Sequence, residues 1–148
     1  MQVEINKILN GVGEKIIGTK IIAAYRHLIK GDEEKAAAAL SRLHYDAYWS
    51  GVRNATTDDI VSTIYRERGI EKPANSTDSD PDIVREAVSR RVEREIKIAK
   101  DILANGIRKM PVVIPDGDDY RLYDGFNRVA LMIARGDKMI EVEEKNDA

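Results

Sequence analysis

The chain contains no cysteine, which excludes disulfides, thiolate metal sites and cysteine nucleophiles. Aromatic residues are scarce, with one phenylalanine, one tryptophan and six tyrosines, so the core has to be built from Ile, Val, Leu and Ala. No apolar run approaches the roughly 20 residues needed to span a bilayer. The first residues also lack a signal-peptide pattern, and the expectation is a soluble, cytoplasmic protein with no membrane partner. Neither sign of charge dominates. A formal net charge of −2 supplies no global basic field to steer nucleic acid, and any DNA contact must rest on a local basic face. The only histidines, His27 and His44, have no partner at metal-ligand spacing, and zinc chemistry is not expected.

What is present is an ordinary soluble balance, 34% charged and 43% hydrophobic over 148 residues, long enough for one domain with a proper core. Gln2 to Ile8 alternates polar and apolar residues, a short strand signal ended by Gly11 and Gly13. From Glu14 to Ile29, Ile17, Ile21, Ala24 and Leu28 recur at helical spacing. Asp32 can cap the next helix, which runs to about Trp49, and Thr56 or Thr57 a third, ended by Gly69. Tyr45, Tyr48 and Trp49 make an aromatic knot that reads first as core and second as a stacking surface. Glu71 to Asp80 is a polar loop. Asp80 and Pro81 then open a long helix with a seam of Val84, Val88, Val92, Ile96, Ala99 and Leu103. Val112 to Ile114 and Tyr120 to Tyr123 read as the two strands of a hairpin. Its turn, Pro115 to Asp119, carries Asp116, Asp118 and Asp119, which read as turn formers before they read as cation ligands. Met139 to Val142 predicts a last strand, and residues 145–148 a frayed tail.

The most informative stretch is Tyr123-Asp124-Gly125-Phe126-Asn127-Arg128. It is an acid–glycine turn feeding a helix that stops at Gly136, with an arginine in its first turn. A cation there opposes the helix dipole unless an anion shares that end. Free backbone N–H groups, a permissive glycine and a guanidinium fork together suit phosphate. The competing reading is local: Asp124 caps the helix and pairs with Arg128 four residues on.

Several segments in order give the chain a resemblance to the ParB/sulfiredoxin-like superfamily. They are the opening strand Val3-Glu4-Ile5-Asn6-Lys7-Ile8, the arginine-bearing segment Ser89-Arg90-Arg91-Val92-Glu93, the run Asn105-Gly106 through Pro111 to Ile114, and the glycine-x-x-arginine helix start at Gly125 to Arg128. The matching stretch covers about 60 residues, Ser89 to Glu143. The resemblance implies an α/β (α+β) fold, a small mixed sheet with flanking helices, in which residues 12–88 form a helical insertion. It also implies a triphosphate held by Gly125, Phe126, Asn127 and Arg128, with Arg90 or Arg91 approaching from another wall and Mg2+ as cofactor. Asp124 and Glu93 are then candidate catalytic groups, Asp124 also a magnesium ligand. Arg90 and Arg91 read equally well as a solvated helix face.

Departures from the family pattern limit what carries over. Phe126 stands where sulfiredoxins have their catalytic cysteine, which excludes that chemistry. Asn127 replaces the histidine common in related kinases, and it can donate a hydrogen bond without carrying a proton. Arg108, Lys109 and Arg121 offer a modest basic patch for nucleic acid. Three functions follow as expectations. The first is a nucleotide-binding, DNA-associated protein with NTPase or nuclease activity, compatible with a homodimer. The second is a small-molecule kinase, and the third a non-catalytic partner-binding module with a vestigial phosphate cradle.

Overall fold

A computed structural model describes residues 1–50 and 55–145. Among them are six strands, β1 (Gln2–Glu4), β2 (Ile8–Leu9), β3 (Val112–Asp116), β4 (Asp119–Asp124), β5 (Met139–Glu141) and β6 (Glu143–Glu144). The five α-helices are α1 (Lys20–Ile29), α2 (Glu33–Trp49), α3 (Ala55–Arg68), α4 (Pro81–Asn105) and α5 (Phe126–Arg135). The chain is thus mixed α and β, with two small sheets. It divides into two compact units: Met1–Ala36 with the chain from Ala99 onward, and Ala37–Ile98. Residues 12–36 belong with the strands, and the continuous unit is the helical one. Of the expected tail only Lys145 is among the described residues, and its N–H donates to the Val113 carbonyl at 2.8 Å.

In the first unit the strands run β2-β4-β3-β6 in one sheet and β1-β5 in the other. The β3–β4 hairpin turns over Gly117 and Asp118, with Gly117 at φ +63°. Its register sets Val113 opposite Leu122, both buried. Pro115 is tolerated in β3 because it lies beyond Val112 and Val113, the residues that pair with β6, and among the described residues no second neighbour there needs its N–H. The segment Gln2 to Ile8 differs from the expected single strand. Its apolar spacing changes from two (Val3, Ile5) to three (Ile5, Ile8), and a 3-10 turn over Ile5–Lys7 accommodates the change while all three side chains stay buried. The break passes the chain from pairing with β5 to pairing with β4.

The first helix is also shorter than its periodicity predicts. Asn10 organises the preceding loop, its Oδ1 accepting from the N–H groups of Val12 (3.0 Å) and Glu14 (2.9 Å). Gly18 at φ +85° then keeps the helix from starting before Lys20. Ile16 is buried in place of Ile17, which is 61% exposed. From Lys20 the expected stripe holds, with Ile21, Ala24 and Leu28 buried; α1 packs against α5, in which Val129 to Met132 are buried. Each fully buried Ile or Leu contributes about 1.5–3 kcal/mol of transfer free energy.

The second unit is helical. Asp80 caps α4 as expected, accepting from the Asp82 N–H at 2.9 Å. Val84, Val88, Val92 and Ile96 form its buried seam with Ile83 and Ala87. In the first unit the same helix buries Ala99 and Ile102, the latter in place of the expected Leu103. The aromatic knot is real: the Trp49 ring meets Tyr48 at 5.2 Å and Tyr45 at 5.9 Å, both edge-on. The Tyr48 hydroxyl lies 2.9 Å from Ser79 Oγ, a bond that fixes the polar loop against α2.

Candidate functional site

The end of β4 and the start of α5 come together with the segment before β3. Gly125, at φ 101° and ψ 30°, turns the strand into the helix. Its conformation is left-handed, and a Cβ there would stand 3.0 Å from Pro111 Cα, Pro111 Cβ and Arg128 Nη2. Glycine is therefore required twice, by φ and by the close approach. Pro111 is itself buried and fixed, since its carbonyl accepts from the Glu143 N–H at 2.9 Å. Two segments separated in the sequence, Lys109 to Pro111 and Asp124 to Arg128, thus share one corner of the first unit.

Among the described residues no side chain caps α5, and its first turn contains no acidic residue. Asp124 does not cap it. The carboxylate pairs sideways instead, with Asp124 Oδ2 lying 3.4 Å from Arg128 Nη2 and 3.5 Å from Lys109 Nζ. Arg128 also donates through Nη1 to the Lys109 carbonyl. Its side chain is only 16% exposed whereas that of Lys109 is 76% exposed, so Arg128 is a fixed wall and Lys109 a movable one. Phe126 and Asn127 are half-buried at the helix start. Arg108 is exposed and engaged with Asp101 at 3.2 Å. Arg121 is half-buried in β4, in register with Leu9 and Ile114.

The remaining candidates belong to the helical unit. Arg90 pairs with Glu67 (2.8 Å) and Glu86 (3.0 Å) on the surface. The hydrogen bond from Arg90 holds the Glu67 carboxyl below the usual carboxylate range, and the same bond raises the Arg90 guanidinium. Arg91 turns inward, with Nε 2.9 Å from Glu95 Oε1 and Nη1 donating to Thr57 Oγ1 at 2.8 Å. Glu93 is exposed on α4. The arginine pair is therefore not one solvated face: one guanidinium is in a surface network and the other in a buried one.

Among the described residues no group of three His, Asp or Glu side chains converges as a metal cage would require. Around α5 the donor set is the single carboxylate of Asp124, already balanced by two cations. Such a set does not fit a resident metal. Sequence reasoning missed His44 and Glu95, whose side chains meet at 2.7 Å inside the helical unit. Their 51-residue separation leaves no local signal.

No protein-family model matches the chain, and neither does any curated protein or solved structure. Among the described residues no helix is long and apolar enough to cross a membrane.

Proposed function

We propose that this protein binds the phosphate groups of a nucleotide at the N-terminus of α5, in association with DNA. One observation carries the reading: an uncapped helix start, with no acid in its first turn, is flanked by two cations held on a single carboxylate. The helix end offers partial positive charge and backbone donors. Arg128 supplies a fixed fork and Lys109 a mobile point charge. The exposed Lys109–Asp124 pair is worth about 0–1 kcal/mol, so an arriving phosphate exchanges Asp124 for stronger charge-assisted contacts at little cost. Asp124 is then released to a nucleotide-borne magnesium ion, whose chemistry is to neutralise phosphate charge. The ParB/sulfiredoxin-like resemblance points the same way, and Arg108, Lys109 and Arg121 are the residues proposed to meet a DNA backbone.

The kinase reading has less support, because Asn127 cannot shuttle a proton. The test is calorimetric titration of CTP, ATP, GTP and ADP, with and without magnesium, on wild type, Lys109→Ala and Arg128→Ala. Saturable binding weakened by both substitutions is expected. Absence of binding by every nucleotide, or binding indifferent to both substitutions, would overturn the proposal.

A further inference from the structure

At the other end of α5 the first unit contains a cavity of about 510 Å3, which shares no residue with the proposed phosphate site. Its volume lies within the range of about 300–1,000 Å3 typical of small-molecule pockets. The walls are aliphatic: Ile5, Ile8, Ile16, Ile17, Ile133 and Met139. Ile5, Ile8 and Ile16 are buried, while Ile17 and Met139 are 61% and 45% exposed. Ile17 is therefore the apolar residue that the shortened first helix leaves out of the core, and it stands at this cavity. Exposed aliphatic side chains gathered at one concavity are what a ligand site requires, whereas scattered ones need no explanation.

The cavity lining carries two acids and two lysines, which differ in how they are paired. Its acids are engaged: Asp137 takes two hydrogen bonds from Arg135, at 2.9 and 2.6 Å, and Glu4 lies 3.9 Å from Lys7. Its two lysines, Lys15 and Lys138, line the same cavity and have no ion-pair partner among the described residues. The C-terminal end of α5 is also here, with Gly136 in the lining. That end carries partial negative charge, which opposes any anion and opposes a multiply charged head such as a phosphate the most. We infer that this cavity binds an amphiphilic monocarboxylate, its aliphatic chain against the isoleucines and its carboxylate between Lys15 and Lys138. This site is independent of the nucleotide proposal, since it shares no residue with it.

The experiment is a methyl-resolved NMR titration of the whole chain with three probes of one chain length: octanoate, 1-octanol and octylammonium. Octanoate should shift the Ile5, Ile17 and Ile133 methyls saturably, with 1-octanol weaker and octylammonium weakest. The double variant Lys15→Glu/Lys138→Glu, changed at exposed positions, should bind octanoate about tenfold more weakly. Ile17→Asp should weaken octanoate and 1-octanol alike. Absence of saturable isoleucine shifts with octanoate, or octylammonium binding as tightly as octanoate, would overturn the inference. So would an unchanged octanoate affinity in the double variant.

Discussion

His44 Nε2 lies 2.7 Å from Glu95 Oε1, and the two side chains are 4% and 8% exposed. Arg91 Nε reaches the same carboxylate oxygen at 2.9 Å. Neither contact is aligned as a hydrogen bond, so the carboxylate is held by charge and proximity inside the helical unit. Removing one member of such a buried group strands the others and costs about 3–5 kcal/mol, whereas apolar replacement of the whole group is often neutral. Glu95→Ala should therefore lower the urea midpoint far more than the triple change His44→Leu/Arg91→Met/Glu95→Leu. Equal losses in equilibrium denaturation would contradict this account.

Gly125→Ala should be destabilising by about 1–3 kcal/mol, from forcing a side chain into left-handed backbone. The added methyl would also meet the Pro111 backbone and Arg128 Nη2, and of the two only the end of the Arg128 side chain can be forced out of its fixed position. Arg128 should thus move, and the variant should lose nucleotide affinity beyond its loss of stability. Thermal unfolding and calorimetry on one preparation separate the two effects.

The Glu67–Arg90 pair makes a prediction about acid. Arg90 lowers the Glu67 pKa in the folded chain. A depressed carboxyl stabilises the fold above its unfolded value, about 4.3, and that stabilisation disappears as pH falls through the lowered folded value. The stability difference between wild type and Glu67→Gln should be present near neutrality and vanish in strong acid. Denaturant titrations at a series of pH values would show it, and a difference that grows on acidification would contradict the pairing.

Asp124→Ala frees both Lys109 and Arg128 from their shared oxygen. Nucleotide binding without magnesium should then strengthen, and the gain that magnesium gives the wild type should shrink. Calorimetry reads both quantities. A variant that binds more weakly without magnesium would show that Asp124 organises the cations instead of competing for phosphate.

Much of this architecture was legible because its signals are local. The caps at Asp32 and Asp80, the Gly136 stop of α5 and the hairpin over Gly117 each occupy a few consecutive residues, and the structure has all four. Where the sequence misled, two local rules conflicted. The helical spacing of Ile17 with Ile21 competed with Gly18, and the glycine won. At α5 the acid expected to cap the helix lies in β4, and Gly125 intervenes at the cap position. The corner between Lys109 to Pro111 and Gly125 to Arg128 had its parts quoted in the sequence, but its closeness depends on a sheet register that no short window contains. The His44–Glu95 contact and the isoleucine cavity were invisible for the same reason.

The division of the chain carries a consequence for the order of events in folding. The helical unit is one continuous stretch, Ala37–Ile98, whereas the other unit is assembled from the chain on both sides of it. Gln2 pairs with Glu141 and Ile8 with Tyr120, closures that bear the entropy of very long loops. During synthesis the helices can gain their contacts while the partners of β1 and β2 are still unmade. The β1 and β2 segments, with the aliphatic Val3, Ile5 and Ile8, must wait without strands to cover them. For a growing chain, the period of greatest exposure to aggregation therefore belongs to the β1 and β2 segments, and it ends only when β4 and β5 arrive.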